Sequence, residues 1–181
     1  MHEKRFNREI ERLRDPERVA RLEVTRVIDL VLENFKEASS VLDVGTGSGL
    51  FAEVFAAKNL QVTGVDANPE MVTVSSQFVP SGTFHEGIAE KLPFQDQSFD
   101  LVFMGLLLHE TDNTPGAIRE AFRVSQRGLA VLEWPYETQP FGPPMEHRLA
   151  PENILSMAEQ AGFQKTCVIR LTNFSLYVME R

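Results

Sequence analysis

The 181-residue chain has one cysteine, Cys167, so no disulfide can form within it. It has no apolar run approaching the ~20 residues of a membrane-spanning helix. Its opening stretch, MHEKRFNREIERLRDPERV, lacks the apolar core of a secretory signal. A cytoplasmic location is the expectation. Basic residues are the minority, 18 Lys and Arg against 26 Asp and Glu, for a net charge of −8. A surface of that sign repels phosphate backbones, which argues against nucleic acid and leaves small molecules and proteins as partners. The histidines at 2, 85, 109 and 147 form no i, i+4 pair and have no cysteine beside them, so no metal site is expected. No repeat or low-complexity segment interrupts the chain. The 43% hydrophobic content suits one globular domain over residues 1–181 with a sizeable core.

Residues 1–36 read as helical. Phe6, Ile10 and Leu13 lie at i, i+4, i+7 on one stripe. Asp15-Pro16 then restarts a helix, with the aspartate as N-cap and the proline in its first turn. Ala20, Val24, Val27 and Val31 form a second stripe, broadened by Ile28, Leu32 and Phe35. Residues 1–26 also hold eight basic and six acidic side chains, most simply a solvated face. These helices are free either to cover a site or to form a dimer contact.

From Ser40 short apolar runs alternate with helical patterns. VLDV, QVTGVD, GTFHEG, FDLVFMGL and GLAVLEW read as strands, and FQKTCVIRL and FSLYVMER as two more. The intervening helices open at Asn68-Pro69 and at Thr114, and the last ends at Gly162. This alternation predicts an α/β, Rossmann-like, doubly wound core over residues 40–181, with a mostly parallel seven-stranded sheet. The last two strands are joined by only a few residues around Thr172-Asn173, so they should close the sheet as an antiparallel hairpin. Cys167, on the sixth strand, is expected to be a packed core thiol. Ligand should bind where strand order reverses, at the carboxyl ends of the strands.

The turn after the first strand, VLDVGTGSGL, carries Gly45, Gly47 and Gly49. A dinucleotide fingerprint, G-x-G-x-x-G, would need glycine where Leu50 stands, which weakens a nicotinamide or flavin reading. Asp66, at the end of the second strand, is placed to accept hydrogen bonds from a ribose diol.

VLDVGTGSG, GVDANPEM and HEGIAEKLPFQDQSFDLVFMGLLLHE together resemble the motifs of class I S-adenosylmethionine-dependent methyltransferases, nearest to the type-11 group that includes quinone-biosynthesis enzymes. The likeness runs from Val41 to Glu133. It implies S-adenosylmethionine as cofactor and S-adenosylhomocysteine as product. It also implies that Asp43, Gly45, Thr46 and Gly47 surround the amino-acid portion and that Asp66 holds the ribose. Ala67 and Met71 would line the adenine, and Ala89 would meet its edge through the backbone. Met104 and Gly105 would lie beside the methionine portion. Relatives often carry Asp where this chain has Ile88, so adenine would be held here by apolar contact and backbone. Glu90 reads as a solvated surface residue.

Methyl transfer needs positioning more than a protein nucleophile, and a base only where the acceptor must lose a proton. His109 and Glu133, ending the fourth and fifth strands, are the candidates for that role. Trp134 and Tyr136 are candidate walls of a substrate pocket. His147 and Arg148, which follow the proline-dense QPFGPP, are candidate substrate contacts, with Arg148 read equally as a contact for a carboxylate or phosphate or as a salt bridge that fixes the loop. The resulting reading is a methyltransferase for an unidentified small-molecule acceptor. A non-catalytic S-adenosylmethionine-binding sensor or partner subunit is the alternative, and an NAD-dependent oxidoreductase a more distant one.

Overall fold

The computed structural model describes residues 10–181, with side chains from Arg12 onward. Phe6 and the Ile10 side chain, two members of the first apolar stripe, lie outside the described residues. Seven strands form one sheet: β1 (Ser40–Val44), β2 (Gln61–Asp66), β3 (Thr83–Glu86), β4 (Phe99–Gly105), β5 (Ser125–Glu133), β6 (Lys165–Arg170) and β7 (Ser175–Glu180). Their order is β3-β2-β1-β4-β5-β7-β6. The first five are parallel, and β7 runs antiparallel between β5 and β6. The sheet is therefore the doubly wound arrangement with a closing hairpin that the alternation predicts. Strand order reverses between β1 and β4, and that is where the loops part.

Both faces are covered, so the central strands are apolar throughout rather than alternating. On one face α3 (Val24–Asn34) and α4 (Leu50–Ala57) bury Val27, Ile28, Val31 and Phe55 against Leu101, Phe103 and Leu132. On the other, α6 (Thr114–Val124) and α7 (Pro151–Ala161) bury Ile118, Ala121 and Ile154 against Leu42, Val102, Met104 and Tyr177. The loop before α5 (Pro69–Phe78) is capped by Asn68, whose Oδ1 accepts from the Glu70 amide at 2.9 Å. Gly162 ends α7 in the left-handed conformation, with φ 115°.

Three local expectations change. The helix restarted at Asp15 is two helices, α2 (Pro16–Leu22) and α3, following the short α1 (Ile10–Leu13). Glu23 sits between α2 and α3 in the left-handed region, φ 48°. That break turns α2 about its axis, so Leu22 is buried and Ala20 is exposed. The cap of α6 is Asn113 rather than Thr114: its Oδ1 accepts from the Gly116 amide at 3.1 Å. Cys167 is exposed, because β6 is the edge strand and has no neighbour beyond it. Among the described residues no helix is long and apolar enough to cross a membrane.

Candidate functional site

A cavity of about 1210 Å³ opens at the carboxyl ends of β1, β2, β4 and β5. Gly45 and Gly47 line its first wall, and Gly49 turns the chain into α4. All have positive φ, from 55° to 77°, where side chains other than glycine are strained. A Cβ on Gly45 would lie 2.7 Å from Leu107, and one on Gly49 would lie 3.1 Å from Ser75, so packing excludes side chains at both. At Gly47 the nearest side-chain atom would be Leu13 Cδ1, at 3.8 Å. Gly47 is thus the glycine whose bare backbone faces the cavity. Leu50 also lines the cavity, where a dinucleotide fold places its third glycine.

Asp66 locks this corner. Its Oδ2 accepts from the Gly47 amide at 2.8 Å and its Oδ1 from the Asn68 amide at 2.9 Å. Val65 O accepts from the Gly45 and Thr46 amides at 2.7 and 3.0 Å. Asp43 lies behind the corner, 1% exposed, and accepts from the Thr46 hydroxyl at 2.7 Å. Burial raises its pKa, the Thr46 hydroxyl partly offsets this, and the nearby Asp66 charge adds to the rise, which reaches about 7.

Gly45, Thr46, Gly47, Asp66, Ala67, Met71, Ile88, Ala89 and Gly105 all line the cavity, whereas Asp43 and Met104 do not. Met104 is fully buried in the core beneath α6, because its position in β4 directs it to that face. Ile88 is 41% exposed and lines the cavity with an apolar surface. Glu90 does more than face solvent. Its Oε1 accepts from the Asp112 and Asn113 amides at 3.0 and 3.3 Å, tying the β3–β4 connection to the loop before α6.

Past the switch point, a 3₁₀ turn (Leu108–Glu110) brings His109 over the end of β5. His109 Nδ1 lies 2.8 and 2.9 Å from the two oxygens of Glu133, whose side chain is wholly buried. With Glu133 accepting from Nδ1–H, Nε2 is left as the ring's other polar atom, 3.6 Å from Glu110. Burial works against the imidazolium. The Glu133 charge and hydrogen bond, helped by Glu110, outweigh it and raise the pKa above the ordinary histidine value. His109 lines the cavity and Glu133 sits beneath it.

The far wall is aromatic. Trp134, following β5, packs on Phe174 with ring centroids 4.8 Å apart and on Phe141 at 6.0 Å. Tyr136, His147 and Arg148 do not line the cavity. Tyr136 is 53% exposed. Arg148 is buried, and its guanidinium donates to five acceptors: the carbonyls of Pro135, Glu137, Phe141 and Pro143 and the Gln139 Oε1. It scaffolds the proline-dense loop behind Trp134, which is the loop-fixing role of the two expected for it. The loop lacks secondary-structure partners, and the Arg148 fork satisfies carbonyls that burial would otherwise leave without donors.

Sequence reasoning did not find Phe141, Phe174, Leu106 or the arginines of the N-terminal helices. Leu106 carries one usable signal, a bulky residue just after a strand end. It holds φ 56° and lines the cavity, with its amide donating to Leu132 O at 2.8 Å. Such strain concentrates at functional positions. The N-terminal segment covers the site: Arg12, Leu13, Arg18, Arg21 and Leu22 all line the cavity. Arg14 clasps this cover to the corner, donating to Ser48 O at 2.9 Å and to Glu53 at 2.9 Å.

Comparison with known proteins is consistent with this geometry. A demethylmenaquinone methyltransferase of Chlorobaculum parvum is 39% identical over 89 residues, 49% of this chain and 37% of that protein. An uncharacterized methyltransferase of Bacillus subtilis is 40% identical over 98 residues, 51% of this chain and 39% of that protein. The chain thus spans well under two thirds of the length of these curated relatives. The crystal structure of a SAM-dependent methyltransferase from Aquifex aeolicus superposes with a TM-score of 0.80 at 26% identity, covering 94% of this chain and 95% of that one. The family model for a methyltransferase domain of type 11 matches residues 42–132, from β1 to the end of β5. On that match over half its length, the chain belongs to the type-11 methyltransferase-domain family.

Proposed function

We propose that the protein transfers a methyl group from S-adenosylmethionine to a small-molecule acceptor, with His109 as the base and Glu133 as its positioning partner. The observation that carries this is the continuity of the cavity, which joins the Gly47–Asp66 corner to an aromatic slot with His109 between them. The corner fits the cofactor. Gly47 has open space where a Cβ would stand, Asp66 offers a carboxylate beside it for ribose hydroxyls, and Ile88 and Met71 give an apolar berth for adenine. When bound, S-adenosylmethionine supplies an electrophilic methyl group on a sulfonium, which needs no protein nucleophile.

The chain's own contribution is then orientation, exclusion of water and proton management. The cover formed by α1 and α2, held by Arg14, walls one side of the cavity and reduces its contact with water. Glu133 holds the imidazole in one tautomer, so that Nε2 takes a proton from an acceptor hydroxyl or amine as the new bond forms. The resulting imidazolium is stabilised by the Glu133 carboxylate.

Calorimetry with S-adenosylhomocysteine tests the cofactor half. Binding is expected, and Asp66→Ala should weaken it by ~1–3 kcal/mol. No binding at millimolar ligand would overturn the reading. The catalytic half is tested by incubating the protein with methyl-labelled S-adenosylmethionine and a panel of phenols and aryl acids. His109→Gln should lower turnover about 10²–10⁴-fold with cofactor affinity unchanged. Tight S-adenosylhomocysteine binding with no methylated product would instead favour the sensor or partner-subunit reading.

A further inference from the structure

We propose that the acceptor is a flat apolar compound carrying a carboxylate besides the hydroxyl or amine that is methylated, its ring seated against Trp134 and Phe141 and its carboxylate read by Arg21. This inference rests on the methyltransferase reading and names the acceptor class for the same cavity. Its first support is the arginine charge that lines the cavity. The chain is acidic overall, and most of its described arginines are committed. Arg14, Arg26, Arg123, Arg127 and Arg170 pair with carboxylates, and Arg148 and Arg181 donate to main-chain carbonyls. Arg18 is held too, donating to Leu13 O at 2.8 Å.

Arg12, Arg21 and Arg119 alone, among the described residues, direct no guanidinium hydrogen bond or ion pair at another described group. Arg119 faces solvent on α6, whereas Arg12 and Arg21 both line the cavity. Of these, Arg21 has its guanidinium beside the aromatic wall of the cavity, where it can meet an anionic ligand.

The second support is how Arg21 is held. Its guanidinium carbon lies 5.1 Å from the Phe141 ring centroid, and its main-chain carbonyl accepts from Asn173 Nδ2 at 3.3 Å. Leu22, 2% exposed, anchors the next position in the core. The guanidinium plane is therefore positioned by aromatic contact and a fixed backbone, while its N–H fork donates to no other group among the described residues. Phe141 belongs to the same wall as Trp134, so cation and aromatic slot are adjacent parts of one surface.

The third support is charge distribution along the cavity. Its carboxylates, Asp66 and Glu70 on the β2 side and Glu90, Glu110 and Asp112 around the β4 loops, lie toward the corner and the middle. Its arginines all come from the N-terminal cover. A cavity lined by both signs of charge can hold a cationic cofactor and an anionic acceptor together. The volume of about 1210 Å³ also exceeds the roughly 300–1,000 Å³ of a single-ligand pocket.

Calorimetry with 2-naphthoate, 2-naphthyl phosphate and the neutral 2-naphthamide, with and without saturating S-adenosylhomocysteine, tests the assignment. Naphthoate should bind about tenfold or more tighter than naphthamide, the effect of one charge-assisted contact. Arg21→Gln should reduce that gap to about twofold or less without changing S-adenosylhomocysteine affinity. Lys165→Gln, a charge change of the same kind on the edge strand, should leave the gap intact. Equal binding of acid and amide to the unmodified protein would overturn the proposal. So would a gap that survives Arg21→Gln, a naphthyl phosphate that outbinds naphthoate tenfold, or no binding of any of the three at millimolar concentration. Loss of S-adenosylhomocysteine binding in the unmodified protein would strike the methyltransferase reading instead, because the acid-over-amide preference is also read without it.

Discussion

At the β1–β2 end of the cavity, what faces a ligand is largely main chain: Gly45, Gly47, and amides and carbonyls pinned by Asp66 and Val65. At the β4–β5 end it is side chains, namely His109 from a 3₁₀ turn, Trp134 from a strand end, Phe141 from the proline-dense loop, Phe174 from the hairpin turn and Arg21 from α2. The first end is made by 26 consecutive residues, Val41–Asp66, and fails if any one backbone angle is wrong. The second is assembled from five separated segments whose side chains pack on one another, Trp134 on Phe141 and Phe174 and Arg21 on Phe141. A cofactor site built the first way stays constant while an acceptor site built the second way changes, which is how one fold comes to host many methyl acceptors.

The largest effect should come from forcing a side chain into the first end. Gly47→Val puts a branched residue at φ 55° with its Cβ facing the cavity. The backbone strain costs ~1–2 kcal/mol, which thermal melting should register as a modest loss. S-adenosylhomocysteine affinity should fall by about 100-fold or more, measured by calorimetry. Gly45→Val is the contrasting variant: its side chain meets Leu107 rather than the cavity, so it should lower stability more and leave residual binding. If Gly47→Val bound normally, the main chain at this corner would not be the contact surface.

At the second end, the largest effect should come from the scaffold rather than from any residue in contact with ligand. Arg148→Lys keeps the charge but not the planar fork that reaches five acceptors. It should destabilise the protein by about 2–4 kcal/mol in urea unfolding. Trp134 is the chain's one tryptophan, and Arg148 lies 5.4 Å from its ring centroid, so its fluorescence should shift as the loop behind it loosens. S-adenosylhomocysteine affinity should hold. Equal damage to both ends would erase the distinction drawn between them.

The same division explains what the sequence could be made to say. Period and punctuation announced the strands, the closing hairpin and the glycine corner, because each depends on neighbours in the chain. The Glu23 break escaped notice because nothing local demands a left-handed glutamate. α2 turns there to cover the cavity, a tertiary requirement. The cap moved from Thr114 to Asn113 because both residue types cap well and only geometry chooses between them. Trp134 was visible as an aromatic at a strand end. Its partners Phe141 and Phe174 lie in loops with no periodicity to mark them. Arg148 reads equally as an anion contact or a loop-fixing residue, and the five internal acceptors that decide between them appear only once the loop is folded.

Proton-linked stability should separate the two ends by pH. Asp43 is buried and its pKa is raised to about 7, so the folded state prefers its neutral form. Its contribution is fully present below the unfolded value of about 4 and is lost as pH rises through 7, by as much as ~4 kcal/mol. His109 is also raised, so its contribution is present below about pH 6.5 and is lost as pH rises through its higher folded value. Urea unfolding should therefore show stability falling from pH 5 to beyond 7. Asp43→Asn should flatten the part below neutrality, and Glu133→Gln the part above it. Binding of a cationic ligand at the corner should release a proton near pH 7, read from calorimetry in buffers of different ionisation heat. A slope unchanged in both variants would remove these two groups as its source.

The smallest effect should lie where neither end reaches. β6 is separated from β5 by β7, and Cys167 stands on its exposed surface. A thiol in a packed core would resist reagents and cost ~1–3 kcal/mol when replaced by serine. An edge-strand thiol should react fully with an aromatic disulfide in the native protein, and Cys167→Ser should change stability by no more than about 0.5 kcal/mol. S-adenosylhomocysteine binding and the acid-over-amide preference should both survive the modification. If labelling Cys167 disturbed either, the edge of the sheet would be coupled to the cavity through the hairpin turn that carries Phe174. The acceptor end would then extend one strand further than its lining residues indicate.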